Sequence, residues 1–211
     1  MCPRAGSTIL GLILAATLLP GGAWAQQTIQ VGDSLQVGDS LPSPGPTLRT
    51  TDGTTVSPRS LGGEEGTVFL FWSDPCPWVD RYEKRVDSLA ATYGTRGVQF
   101  VLVGVDTSSG RSGEPPQATQ SQTLNEGGSM PYVRDPNARL ARMMGATRTP
   151  HAFVFDENWT LRYAGAIDDS PSMPSRVEHA YLRNAVEAVA SDQAVPTKSK
   201  TAFGCRLNLP N

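Results

Sequence analysis

The chain of 211 residues carries 18 basic and 20 acidic side chains, for a formal net charge of −2. A balance so close to neutral gives no electrostatic case for nucleic acid or anionic lipid as partner. Three cysteines and two histidines are too few for a disulfide-built scaffold or a convincing zinc set, so neither a metal nor another cofactor is expected.

The first 25 residues read as a secretory signal peptide: Arg4 in a short n-region, an apolar core from Ile9 to Leu19, and Ala23-Trp24-Ala25 as a small-x-small cleavage site. The apolar run is too short to span a bilayer of about 30 Å. Cys2 leaves with this segment, which carries one basic and no acidic residue; the remainder holds 17 basic and 20 acidic side chains, a net of −3. The expectation is an exported protein, periplasmic or secreted, with no membrane association after cleavage. Cys76 and Cys205 then remain in a compartment where a disulfide persists.

Residues 26–46 are polar and rich in Gly, Pro and Ser, with "VGDSL" repeated, and read as a flexible leader. In "PTLRTTDGTTVSPRSL" the alternation around Asp52-Gly53 predicts a β-hairpin with Leu48 and Val56 facing inward. This opens a domain over residues 47–192. Val68 to Trp72 is a continuous apolar run, as in a strand covered on both faces. Val79, Tyr82, Val86, Leu89 and Tyr93 recur at helical spacing, and Gly94 and Gly97 end that helix. "VQFVLVGVD" is a second buried strand, which completes a βαβ unit and predicts a partly parallel sheet.

From Thr107 to Met130 the pattern weakens to loops around a short helix after Pro115-Pro116. In "YVRDPNARLARMMG", Asp135 is placed as an N-cap, Pro136 as the first helical residue and Gly145 as a stop. Leu140, Met143 and Met144 form its apolar side; methionines at this spacing are core before they are metal ligands. "HAFVFDENWTLRYAGAI" predicts an antiparallel hairpin, and Leu182, Ala185, Val186 and Val189 line a final helix near a solvated His179. Residues 193–211 form a tail without strand or helical period, containing Cys205. The order of elements predicts an α/β sandwich, a central mixed sheet flanked by helices.

Cys76 falls where a buried strand gives way to a helix, in "FWSDPCPWV". The first turn of a helix offers unpaired N–H groups and the positive end of its dipole. An ordinary thiol near pKa 8.5 is about 3% thiolate at pH 7; a fall of about two units makes it mostly thiolate, the nucleophilic form. Pro77 suits the first helical position, and Pro75 stiffens the approach. Ser73 and Asp74 stand where they could hydrogen-bond the sulfur or cap the helix, and Trp72 and Trp78 flank it. Against this stands the ordinary habit of a lone cysteine, which is to be a small buried hydrophobe.

"FWSDPCPWV" resembles the thioredoxin signature, with Cys76 in register with the first cysteine and Val79 in place of the second. "GATRTPHAFVFDENWTLRYAG" is similar to the Thr-Pro and hairpin of that fold, and "VGDSLPSPGPTLRTTDGTTVSPRSL" to the hairpin preceding it in redoxins. The chain thus resembles the redoxin branch of exported thioredoxin-like and peroxiredoxin-like proteins. That resemblance implies a thioredoxin-like three-layer sandwich with an N-terminal β-hairpin. It also implies a cis bond at Thr149-Pro150 facing the Cys76 sulfur, with Arg148 near enough to hold a thiolate or merely exposed at the surface. His151 is either a core histidine or a neighbour of Cys76.

Three functions follow from the resemblance. The first is thiol–disulfide exchange with protein thiols or disulfides and a thiol electron donor, Cys76 being the nucleophile. Cys205 would then resolve, staple Cys76 permanently, pair with another chain or stay free. The second is a thiol peroxidase; Ser73 matches the peroxiredoxin hydroxyl position, but Phe69 stands where a proline belongs and Pro150 where an arginine does. The third is a binding module without turnover.

Overall fold

The computed structural model describes residues 34–72, 76–105 and 130–209, besides Met1. Nearly all of the segment read as a signal, residues 26–33 of the expected leader, Ser73, Asp74, Pro75 and nearly all of the variable stretch from Thr107 lie outside the described residues.

The core follows from the two longest apolar runs. β3 (Gly66–Phe71) is buried along its whole length, and β4 (Val98–Val105) lies parallel to it from Gly66↔Val98 to Phe71↔Val103. Between them α1 (Pro77–Gly94) buries Val79, Tyr82, Val86, Leu89, Ala90 and Tyr93, the helical stripe read from the sequence. The expected first hairpin is β1 (Leu48–Thr50) with β2 (Thr55–Val56), in register at Leu48↔Val56. β7 (His151–Asp156) and β8 (Leu161–Gly165) form the second.

Four short strands were not foreseen as elements in their own right. β5 (Tyr132–Asp135) lies parallel to β4 and carries the first hairpin on its far side. In the tail, β9 (Ser199–Lys200) adds to β8, while β10 (Cys205–Arg206) pairs with β6 (Arg148–Thr149). The main sheet runs β2-β1-β5-β4-β3-β7-β8-β9, with β10-β6 as a separate small ladder.

Because side chains alternate across a strand, the sheet has two dry faces. On one, Val68, Leu70 and Val154 meet α1 together with Leu182, Ala185 and Val186 of α3 (Tyr181–Val189). On the other, Phe69, Phe71, Phe153 and Phe155 meet Leu140 and Met144 of α2 (Arg139–Met144). The result is the expected three-layer sandwich, a mixed sheet with helices on both faces. Both methionines of α2 pack against that second core, Met144 fully.

Three readings need correction. Residues 34–46 are not a loose leader: Leu35 and Leu41 are buried in the second core, and their amides donate to Met143 O and Trp159 O, each at 2.8 Å. Two leucines six residues apart, masked by polar neighbours, supply the contacts that average composition hid. Asp135 does not cap the turn beside it; Asn137 and Ala138 are left-handed, and its carboxylate accepts from the amides of Leu140 and Ala141 at 3.0 and 2.8 Å. Burial raises that carboxyl above its usual range in spite of these bonds. The tail, finally, is folded: Val195, Ala202 and Leu207 are buried.

The loop from Ile167 into α3 is fixed by a polar network. Buried Asp168 accepts from Tyr82 Oη at 3.1 Å and from the Ser170 amide at 2.9 Å, and pairs with Arg85. Arg85 lies over the Tyr82 ring, 4.2 Å from its centroid, and also donates to the carbonyls of Ser170 and Pro171. Removing one partner leaves the other's part-buried or buried charge unpaired. Asp168→Ala should therefore cost on the order of 3 kcal/mol in denaturant unfolding of the oxidised protein, and Tyr82→Phe only about 1 kcal/mol.

Candidate active site

β3 ends at Phe71 beside the start of β7, since Phe71 and His151 are register partners. Two connections converge at this edge: the turn into α1, which carries Cys76, and the turn into β7, which carries Thr149-Pro150. Cys76 is the N-cap residue of α1, with extended backbone (φ −121°, ψ 113°), and Pro77 opens the helix. The Cys76 side chain makes no capping hydrogen bond of its own, and its sulfur sits at the end of the helix where the first-turn amides face. The Thr149-Pro150 bond is cis, as the resemblance implied, and the Thr149 carbonyl oxygen lies 3.2 Å from Cys76 Sγ.

The sulfur is at the helix mouth but is not free. Cys76 and Cys205 are joined in a disulfide across 129 residues of sequence, with Cα atoms 6.1 Å apart. Cys76 is only 3% exposed, so a reachable lone thiolate does not describe this oxidised state. The tail brings Cys205 there by pairing antiparallel with β6, Cys205↔Thr149 and Arg206↔Arg148, and the Leu207 amide adds a bond to Thr147 O at 3.0 Å. Phe203 packs edge-to-face on Trp78, ring centroids 4.7 Å apart, while Arg81 lies 5.2 Å from the centroid of the same indole. Gly204 makes the approach feasible: its φ is 152°, and a Cβ there would land on the Thr149 carbonyl. Gly165 meets Lys200 in the same way where β9 joins β8.

Of the other residues singled out in the sequence, Arg148 donates to the carbonyl of Gly204 at 2.9 Å. It grips the tail rather than a thiolate. Trp72 is 2% exposed and belongs to the core. Val79, in register with the missing second cysteine, is fully buried beneath the helix. His151 lies in β7 next to Phe153, on the phenylalanine-lined face, while Cys76 joins the opposite cluster. Its Nδ1 accepts the Thr147 amide at 3.4 Å, which steadies the turn that presents Thr149. Ser73 lies outside the described residues.

Residues 36–181 match the profile of the Redoxin family, well over half of the chain. The chain belongs to the redoxin family. No curated protein matches it. Among solved structures, this redoxin is similar to a hypothetical protein from Sinorhizobium meliloti 1021, with TM-score 0.70 and 24% identity over 84% of this chain and 97% of that one. An uncharacterized conserved protein from Geobacillus kaustophilus gives TM-score 0.70 and 26% identity, covering 83% and 93%. A thioredoxin-like protein solved in its oxidized form gives 0.54 and 19%, covering 75% and 99%. The thioredoxin-like fold expected from the motifs is thus shared with these neighbours.

Within this redoxin fold, burial pushes the His151 imidazole down to about 4. Below its ordinary value near 6.5 the unfolded chain binds a proton that the folded chain refuses. Stability from this group is therefore complete above about pH 6.5 and is lost as pH falls toward 4, by up to about 3 kcal/mol. In unfolding measured against pH, His151→Gln should remove that slope relative to the wild type. Gly204→Val should hinder tail docking through strain of about 1–3 kcal/mol. The equilibrium with a glutathione redox buffer should then shift toward the dithiol by about tenfold or more, while the reduced forms of the two proteins unfold alike.

Proposed function

We propose that this redoxin is an exported thiol–disulfide oxidoreductase in which Cys76 is the nucleophile and Cys205 the resolving thiol. One observation carries the reading: the only two cysteines left after the signal segment are bonded at a helix N-terminus, opposite a cis-proline turn. The signal-like residues 1–25 support export, and an oxidising compartment lets the bridge form.

In the dithiol state the Cys76 thiolate attacks one sulfur of a substrate disulfide. A Cys76–substrate mixed disulfide forms, and the other substrate sulfur leaves as a thiolate that takes up a proton. The Cys205 thiolate then attacks Cys76 Sγ, closing the bridge and releasing the second substrate thiol. The substrate is reduced by two electrons and the protein oxidised by two; a thiol electron donor reverses that oxidation. The first-turn amides of α1 favour sulfur as an anion both when Cys76 attacks and when it is expelled. The peroxidase alternative has less support, because Phe69, in the place of the peroxiredoxin proline, is a fully buried strand residue.

Exchange with a model protein disulfide tests the proposal. Cys76→Ser should abolish it. Cys205→Ser should allow the first attack and then stall, leaving a substrate adduct on Cys76 visible by non-reducing mass spectrometry. A bridge that withstands millimolar dithiol in the folded protein would make it a permanent staple and end the exchange reading. Peroxide consumption lost in Cys76→Ser, without disulfide turnover in the wild type, would favour the peroxidase.

A further inference from the structure

We propose that the thiol which reopens the Cys76–Cys205 bridge attacks Cys205, not Cys76, so that donor and substrate meet the protein at different sulfurs. This rests on the exchange reading above and assigns the site of its regenerating step.

The two sulfurs are unequally placed. Cys76 is 3% exposed, and the Thr149 carbonyl oxygen lies 3.2 Å from its sulfur. An entering thiolate would meet both closed packing and a repelling lone pair. Cys205 is partly exposed, on a strand of two residues at the surface, with exposed Arg206 next in sequence. The leaving groups point the same way. Attack on Cys205 expels Cys76, the N-cap residue of an 18-residue helix, whose N-terminus receives the anion; attack on Cys76 expels Cys205, which is carried on a two-residue strand rather than in a helix turn. Exchange is faster when the accessible sulfur is attacked and the better-stabilised thiolate leaves.

The step balances. A donor thiolate forms an S–S bond to Cys205 while the Cys76–Cys205 bond breaks, leaving Cys76 as thiolate. A second donor thiol then attacks the donor-side sulfur of the adduct, releasing Cys205 as thiolate and leaving the donor as a disulfide; protons from solvent complete the thiols. The protein gains the two electrons that the donor loses. Between the two attacks the tail is no longer bonded to α1, and what holds it is the β6 ladder and its few buried side chains. The donor is therefore carried on the tail, away from the sulfur that serves the substrate.

Oxidised full-length protein mixed briefly with glutathione, quenched in acid, alkylated and mapped by mass spectrometry decides the matter. The expected result is glutathione on Cys205 and the alkyl group on Cys76, in at least about tenfold excess over the reverse pattern. Under denaturant the excess should fall to within about twofold, since the folded environment sets it. Glutathione mainly on Cys76, an even mixture, or an excess that survives denaturation overturns the assignment while leaving the exchange reading intact. A bridge that does not open in the folded protein sinks that underlying reading as well.

Discussion

The bridge between Cys76 and Cys205 is the constraint on which the edge of this fold depends. Without it, little would oblige the last residues to lie where they do. β9 and β10 are two residues each, and Arg206 stands directly across from Arg148, a like-charged cross-strand pair that disfavours the ladder. Opposing this are one hydrogen bond from Arg148 to Gly204, one from the Leu207 amide to Thr147, and the burial of Ala202 and Leu207. Closing a loop across 129 residues, by contrast, stabilises the folded state by about 4–5 kcal/mol in the chain-entropy account. The covalent term adds to these weak contacts, so the order of the tail is tied to the oxidation state of two sulfurs.

That dependence explains how a sulfur at a helix mouth can be buried. Helix ends are solvated because their amides need partners. Here part of the cover is the tail itself, held by the bond that removes the thiol. Cys76 is hidden in the bridged state, where Cys205 lies against β6 and Phe203 against Trp78. Burial in this state therefore does not argue for the inert cysteine that an isolated buried thiol would suggest. Asp80 in the first turn works mildly against a thiolate, but it is exposed and its charge is screened by water.

The sequence made the central elements legible because they satisfy local and global demands at once. β3, α1 and β4 carry unbroken apolar runs or a clean helical stripe, and the cis Thr149-Pro150 turn was recognisable from its place before a hairpin. What escaped was everything held by long-range contact. The leader looked loose because two buried leucines among polar residues have no period. Asp135 looked like an adjacent cap because left-handed Asn137 and Ala138, which carry the chain past the first turn, leave no mark in composition. The tail looked structureless because its strands exist only against Arg148-Thr149 and β8. At the candidate site, Cys76 and its position were readable, whereas the bond to Cys205 stood open against pairing with another chain or a free tail thiol, and the true contact of Arg148 depended on which of them held. His151 could be assigned to one side of the sheet only once Phe71↔His151 fixed the register.

Placing the second thiol in a tail rather than one turn further along the helix changes what the protein can adjust. In a Cys-x-x-Cys motif the two sulfurs share a rigid element, and their separation is settled by helix geometry. Here Val79 fills that place as a core residue, and on the proposed exchange reading Cys205 must reach Cys76 by docking of the tail. The effective concentration of Cys205 at Cys76 is set by how well the tail docks. Linkage makes this reciprocal: any contact that holds the tail against β6 favours the disulfide over the dithiol by the same free energy. Each 1.4 kcal/mol of docking is about 30 mV in a two-electron couple. Gly204, Arg148, Leu207 and the Phe203–Trp78 contact therefore act on the redox balance without touching the chemistry. On the proposed exchange reading, redox poise is set by the packing of the last few residues, separately from the core that fixes the fold.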